Sequence, residues 1–557
     1  MTPVHTRFFA VVALLLLTSA LPAQSKKKLQ KAKAREEAAI VANLKQHIAV
    51  LAHDSLEGRR TGTAGERKAV NFLVNYYSTL GLQPAGPGGS YEQPFVIDEG
   101  KVPAATSQFE LNGGKLKLYE EWFPLAWSGS GKISSANSIA LHEAGEAWWI
   151  DLADIMETNA NNPHFLLEQH LLTLAKELAT KGATALLLFN DSNKPDSLAF
   201  KGKDRTESVP IPIVYVSKAA LSAMRITPDS ALYPKLEVAF EPKKRNGYNV
   251  LVSIDNGAPQ TVILGAHLDH LGYGEDLNSR HSGKPAIHNG ADDNASGTAA
   301  LMELGRILKS APYKKNNYLL VHFSGEELGL YGSKYFTENP TTSLADVTYM
   351  VNMDMVGRLN DSTSALTVGG VGTSPTWGPL LQTVAANNFV LKVDSSGTGP
   401  SDHTSFYRKN IPVLFFFTGL HTDYHKPSDD AETINYSGEA KVVTLIRDII
   451  AQADGQGKLA FTKTREQTMG TRGFKVSIGI MPDYTWPGQG VKADGVIDGR
   501  PAKKAGLQAG DVILQLGDHL ITGVEMYMQA LNRFEKGQTT TITFRRGNEV
   551  KEEKITF

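Results

Sequence analysis

Between residues 261 and 429, four short apolar runs each give way to imidazole or carboxylate side chains. Residues 261–264 run out into Gly265-Ala266-His267-Leu268-Asp269-His270, and the loop beyond closes with Asn289-Gly290-Ala291-Asp292-Asp293-Asn294-Ala295-Ser296-Gly297. Residues 318–323 end in Ser324-Gly325-Glu326-Glu327-Leu328-Gly329, residues 348–352 lead to Asp354, and residues 411–417 lead through Gly419 to Tyr424-His425-Lys426-Pro427-Ser428-Asp429. Each piece alone is ordinary. A His-x-Asp pair is commonly a surface hydrogen bond, paired glutamates often solvate a helix start, and an Asp at a strand end usually caps or turns. Together they bring two imidazoles and at least three carboxylates to successive strand ends. Imidazole with hard oxygen suits zinc, with cobalt or manganese as substitutes. Two such metals about 3.5–4 Å apart, bridged by a carboxylate, polarise a peptide carbonyl and acidify a shared water. A further carboxylate that is not a ligand must take that water's proton and pass it to the leaving amine. The adjacent Glu326 and Glu327 offer one group of each kind.

Such side chains need a scaffold that converges them, and in an open α/β sheet ligands gather beyond the carboxyl ends of the strands. From about residue 248 to 453, apolar runs alternate with amphipathic helical segments such as 298–308. This pattern predicts an α/β fold, a mostly parallel mixed sheet flanked by helices. Upstream, residues 48–51 and 69–82 show helical apolar spacing around the turn Gly58-Arg59-Arg60-Thr61-Gly62, and 26–39 reads as an exposed helix rich in Lys, Glu and Ala. From about residue 116 to 242 the texture changes, with a helix expected over 166–180 and strands over 185–189 and 211–216, as in an inserted α/β module. Residues 473–557 combine short strands, many glycines and one helical stretch at 526–534, a β-rich segment long enough to fold alone.

A chain of 557 residues exceeds one hydrophobic core and calls for about three domains. Its 41% hydrophobic and 21% charged residues exclude a fibrous or mostly disordered chain. The formal charge of -1 supplies no field for nucleic acid or anionic membranes, so neither is an expected partner. With no cysteine, any metal must be held by nitrogen and oxygen. A positive lead ending at Arg7, an apolar run over 8–17 and the small residues Ala20 and Ala23 read as a signal peptide over 1–23. The apolar run is shorter than the ~20 residues a spanning helix needs. An exported protein, periplasmic or secreted, with no stable membrane span after cleavage is expected.

In these blocks the chain resembles the secreted bacterial two-zinc aminopeptidase family of clan MH, whose relatives include glutamate carboxypeptidase II, glutaminyl cyclases and the transferrin receptor. The family's blocks His-x-Asp, Gly-Ala-Asp-Asp-x-Ala-Ser-Gly, Glu-Glu-x-Gly, Asp-Met and Tyr-His-x-x-x-Asp are all present in order. The resemblance implies one metal on His267, Asp293 and Asp354 and another on Asp293, Glu327 and His425, with Asp293 bridging. It implies Glu326 as general base, Asp269 holding the second ring nitrogen of His267, and Tyr424 steadying the oxyanion. Asp292 would be structural, and the bond between Asp292 and Asp293 cis. Leu56-Glu57-Gly58-Arg59-Arg60-Thr61-Gly62 and Tyr91-Glu92-Gln93-Pro94-Phe95 resemble the family's pre-catalytic segment, and Ser401-Asp402-His403 a loop near its substrate pocket. That trio does not read as a serine triad, since sequence neighbours rarely form one and no Gly-x-Ser-x-Gly elbow is present. A His-Glu-x-x-His helix is also missing from the sequence.

Residues 181–189 with Val209-Pro210-Ile211-Pro212 are similar to a protease-associated domain, and residues 500–513 to bacterial PDZ domains. The expected organisation is a signal peptide at 1–23, a discontinuous zinc aminopeptidase domain at 36–115 and 246–456, a protease-associated domain at 116–245 and a PDZ domain at 465–557. PDZ domains add a peptide strand to a sheet edge and catch a carboxylate in a backbone nest. Here the nest falls near Ile478-Gly479-Ile480 without the Gly-Leu-Gly-Phe form, so peptide binding and packing both stay open. The implied activity is removal of N-terminal residues from peptide or protein substrates. Carboxypeptidase or dipeptidase chemistry on the same fold stays open. A non-catalytic peptide-binding scaffold would be marked by lost ligands, and a cyclase usually works with one zinc; the complete ligand set argues against both.

Overall fold

The computed structural model describes residues 31–464 and 476–557, apart from 137, 161–164, 166, 197, 225–229, 277, 386–388, 484, 485, 487 and 498. The expected signal peptide lies outside the described residues. The chain forms two compact units, Met1–Phe95 with Asn246–Met469, and Val96–Arg245 with Gly470–Phe557.

The main mixed sheet has, among the described residues, nine strands, seven of them wholly in the first unit and two, Glu92–Pro103 and Phe240–Ile254, continuing into residues 96–245. The nine are β1 Gln83–Pro84, β2 Glu92–Pro103, β3 Phe240–Ile254, β4 Thr261–His267, β5 Asn317–Phe323, β6 Val347–Met353, β7 Ala365–Gly369, β8 Val390–Val393 and β9 Val413–Phe417. Their order is β1-β3-β5-β4-β6-β9-β7-β8, with β2 also against β3. The central strands β5, β4, β6 and β9 are parallel, while β3 pairs antiparallel with β5 and β7 with β9. Runs such as Val262-Ile263-Leu264 and Tyr349-Met350-Val351 are apolar at every position because parallel strands are covered on both faces. Alternation then sorts the side chains. Val262, Leu264, Leu320 and Val351 join one cluster with Leu301 and Leu304 of helix Gly297–Ser310, Ile446 and Ile450 of helix Tyr436–Ala453, Leu73 of helix Ala64–Leu80 and Leu44 of the helix over 31–51. Ile263, Leu319, Val321 and Met350 join the opposite cluster with Phe336 and Phe406. The expected α/β architecture, mostly parallel and flanked by helices, is the one observed.

The second unit carries two smaller sheets in residues 96–245. One is antiparallel, formed by Gln108–Leu111, Gly114–Leu116, Gly131–Ser134 and Pro234–Val238. The other has parallel Ala147–Asp151, Ala185–Phe189 and Ile213–Val216, with Trp122–Pro124 antiparallel at its edge. Residues 96–115, grouped with the catalytic segment by their sequence texture, fall in this unit because Gln108–Leu111 pairs with Pro234–Val238. The C-terminal segment forms an antiparallel sheet that includes Ile480–Pro482, Val491–Val496, Val512–Leu516, Thr539–Arg546 and Glu549–Thr556. Its longer described helix, Val524–Leu531, stops before Phe534, whose ring packs on Phe557 instead of extending the helix. No helix among the described residues is long and apolar enough to cross a membrane.

Candidate metal centre

Strand register delivers the chemistry to one edge. His267, the last residue of β4, lies opposite Phe323, the last residue of β5, so Glu326 and Glu327 follow at the same level. Asp354 follows Met353 at the end of β6, and Asp293 sits in the turn that precedes helix Gly297–Ser310. That turn is pinned by Asp429, whose carboxylate accepts the main-chain N–H groups of Asp292 and Asp293 at 3.0–3.1 Å.

In two clusters the potential ligand atoms lie within 4.8 Å of one another, and both include Asp293: His267, Asp293 and Asp354, and His270, Asp293 and Glu327. Separations within the first are 3.4 Å from His267 Nε2 to Asp293 Oδ1 and 3.3 Å to Asp354 Oδ1. His425 Nε2 stands 3.2 Å from Asp293 Oδ2 and 3.3 Å from Glu327 Oε2. Ligands about 2.0–2.1 Å from a tetrahedral zinc are separated by roughly 3.3 Å, so these spacings, which lie at the long end of hydrogen bonding, are also those of shared coordination. Glu326 stays back, with Oε2 3.9 Å from His267 Nε2. Of the eight residues expected at the site, the structure brings the five metal-ligand candidates and Glu326 together around Asp293. Asp269 and Tyr424 touch them from the side.

The electrostatics calls for positive charge. Burial opposes protonation of His425, yet Glu327 and Asp293 raise its imidazole to about 11. Burial likewise opposes protonation of His267, but Asp354, Glu326 and Asp293 carry it well above the usual range. Glu326 is pushed well above the ordinary carboxylate range, first by burial and then by the charges of Asp354, Glu327 and Asp402, with His267 opposing. Glu327 goes the other way. Its burial is outweighed by His425 and His270, which hold it well below.

Two expectations are corrected. His267 Nδ1 meets the main-chain carbonyl of Asp269 at 3.1 Å, while the Asp269 carboxylate is 3.8 Å away. That carboxylate is occupied elsewhere, accepting from Thr61 Oγ1 and from the main-chain N–H groups of Glu326 and Glu327. The cis peptide lies between Asp293 and Asn294, one residue after the expected place; Asn294 is fixed there by its side chain, which donates to Met353 O and accepts from Gly297 N. The turn into the second pocket also carries an imidazole that the block pattern left without a role, His270, whose Nδ1 is 2.7 Å from Glu327 Oε1.

The Tyr424 ring stacks on His425 with centroids 3.9 Å apart. Burial, then the charges of Asp293, Glu327, Glu326 and Asp354, raise its phenol far above the ordinary value. Asp292 accepts from Gly357 N and Ser296 Oγ and lies 3.2 Å from His421 Nε2. In the Ser401-Asp402-His403 loop, Ser401 accepts from Asn352 and His403 stacks on Phe415, with burial lowering its imidazole to about 3. Arg59, which the sequence placed in a glycine-rich turn without a role of its own, joins His270 as the other residue of this kind. It is buried, and its guanidinium donates to the carbonyls of Leu51, Leu268, Asn289 and Gly290.

Fold and site together define an α/β protein with two clusters of imidazole and carboxylate groups at one sheet edge. Residues 249–450 match the model of peptidase family M28, and residues 464–556 match the PDZ domain. The chain is 29% identical to Leupeptin-inactivating enzyme 1 of Streptomyces exfoliatus over 219 residues, 39% of this chain and 45% of that protein. It is 27% identical to Aminopeptidase YwaD of Bacillus subtilis over 269 residues, 47% of this chain and 55% of that protein. The chain thus spans about half the length of these relatives. Among solved structures, a zinc aminopeptidase from Bacillus subtilis aligns with 75% of this chain and 98% of its own, at a TM-score of 0.41 and 18% identity.

Proposed function

We propose that the chain is an exported zinc-dependent aminopeptidase that hydrolyses the N-terminal peptide bond of peptides with two zinc ions and a glutamate base. The observation that carries this reading is the pair of coordination-length edges on either side of Asp293, with Glu326 held 3.9 Å off. His267, Asp293 and Asp354 would hold one ion, and Asp293, Glu327 and His425 the other. When bound, the ions polarise the scissile carbonyl and acidify water. Glu326, buried and of raised basicity, takes the proton of the attacking water and returns it to the leaving amine. The Tyr424 hydroxyl donates to the oxyanion that develops on the carbonyl. Asp269 fixes the Glu326 main chain, so the base is aimed by a hydrogen bond that does not itself take part in the chemistry.

The match of residues 249–450 to the family M28 model and the names of the matched relatives support the peptidase reading; the expected signal peptide over 1–23 supports export. The residues after 464 match a domain of a peptide-binding kind, and we assign them substrate capture, with the insert as a protease-associated domain. The test is to purify the protein, count bound zinc, and assay aminoacyl-p-nitroanilides and N-blocked peptides. About two zinc ions and chelator-sensitive release of the amine from unblocked substrates are expected. Cleavage of N-blocked peptides from their C-termini would replace this reading with a carboxypeptidase.

A further inference from the structure

Resting on the two-metal reading above, we infer that His270 sets the second pocket by engaging one oxygen of Glu327, which leaves the other to the metal. Two imidazoles line this pocket, and their distances separate their roles. His425 Nε2 is 3.2 Å from Asp293 Oδ2 and 3.3 Å from Glu327 Oε2, the spacing of two ligands on one ion. His270 Nδ1 is 2.7 Å from Glu327 Oε1, a hydrogen-bond length, and 3.9 Å from Asp293 Oδ2, too long for neighbouring ligands of a small tetrahedral ion. A carboxylate only accepts, so Nδ1 carries the proton of this bond.

The surroundings leave His270 little freedom. Its side chain is fully buried, and its Nε2 has no hydrogen-bond partner among the described residues. At Gly290, where φ is +56°, a Cβ would lie 2.4 Å from His270 Cδ2 and 2.1 Å from Asp293 O. Glycine is therefore required for the imidazole to lie where it does. A second tie comes from Asn278, whose side chain donates to Glu327 O at 3.1 Å and whose carbonyl is 2.7 Å from His425 Nδ1. Glu327 and His425 are thus fixed from behind by one loop, and His270 decides which carboxylate oxygen faces the pocket. It is a positioning residue whose effect should appear in metal affinity.

The test compares wild type with His270→Asn, His270→Gln and His270→Leu. An asparagine amide nitrogen occupies nearly the place of Nδ1, a glutamine amide that of Nε2, and leucine removes the donor. Bound zinc is counted, affinity is measured by competition with a graded chelator, the absorption of the cobalt-loaded proteins is recorded, and melting of the metal-free proteins is compared. Expected are two zinc ions in wild type and one site weakened about 10–100-fold in His270→Leu, in line with the effect of partners behind a metal ligand. His270→Asn should restore affinity to within a few fold, with an unchanged cobalt spectrum. Unchanged affinity in His270→Leu overturns the inference. Equal weakening in His270→Asn and His270→Leu with an altered cobalt spectrum makes His270 a ligand, which also overturns it. If His270→Leu does not fold, tight binding in His270→Asn against weak binding in His270→Gln supports the role, and equal binding refutes it. Fewer than two zinc ions in wild type would remove the two-metal reading and this inference with it.

Discussion

The Asp269 carboxylate accepts the main-chain N–H of Glu326 at 3.2 Å. A side chain at the end of β4 thereby sets the path of the chain leaving β5, and its other oxygen takes Thr61 Oγ1 at 3.0 Å. Replacing Asp269 with Asn turns one acceptor into a donor that faces a main-chain N–H whichever oxygen is replaced, that of Glu326 or that of Glu327, so the turn must shift. A displacement of about 1 Å in a catalytic group can cost 10²-fold in rate. Asp269→Asn is expected to lower kcat by about that factor while bound zinc stays at the wild-type level. Loss of zinc in this variant would mean that Asp269 acts through His267 instead.

Glu326→Gln probes the base itself. The substitution keeps the shape and removes the proton acceptor. A positioned base contributes about 10²–10⁴-fold, and kcat should fall within that range or beyond it. Because Glu326 stands outside the coordination-length contacts, zinc content should not change. Metal analysis beside steady-state kinetics on an aminoacyl-p-nitroanilide decides the matter, and a mutant depleted of zinc would make Glu326 a ligand.

Arg59 should matter as much for stability as any core residue. Burial lowers its guanidinium to about 10, with Asp293, Asp269, Asp429 and Glu327 opposing, so it is charged at neutral pH. Its four carbonyl acceptors belong to the segments that hold Leu268 and Gly290 beside the pocket. Arg59→Met strands these carbonyls at about 1–3 kcal/mol for each one left unsatisfied. A loss of more than about 3 kcal/mol in urea unfolding is expected, with partial recovery in Arg59→Lys. A loss under about 1 kcal/mol would show that water or the loops re-satisfy the carbonyls.

What the sequence disclosed and what it hid divide along a physical line. The central strands were legible because parallel strands covered on both faces are apolar at every position, and the candidate ligands follow directly where those runs stop. Asp354 lies one residue beyond β6 and His267 ends β4, so the pattern put both at one sheet edge, and the family resemblance supplied their roles as ligands. Contacts that depend on the path of a loop were not legible. Whether His267 Nδ1 meets the carboxylate or the carbonyl of Asp269 turns on one peptide's orientation. The burial of Arg59 depends on segments some 230 positions away, such as Asn289 and Gly290, and a charged residue in a glycine-rich turn reads as exposed. The membership of residues 96–115 depended on pairing with a strand near residue 235, a partner no local pattern names.

The pH dependence of stability turns on Glu439, near the start of helix Tyr436–Ala453. Its side chain is buried, and neither carboxyl oxygen has a hydrogen-bond partner among the described residues. Burial first, and the charge of Asp292 second, push its carboxyl well above the ordinary range. Folded, the group therefore keeps its proton where the unfolded chain, with a pKa near 4.5, has lost it. Protons bound to the folded state then exceed those bound to the unfolded state, so stability falls as pH rises. This contribution is fully present below the unfolded value and declines by about 1.4 kcal/mol per pH unit until the folded group ionises. Glu439→Met has no proton to lose and fills a similar volume. Its stability relative to wild type should be nearly level below pH 4.5 and grow through neutrality, as read from urea unfolding at a series of pH values. A difference that stays constant across that range would mean that Glu439 is ionised in the folded protein and has a partner the pocket supplies.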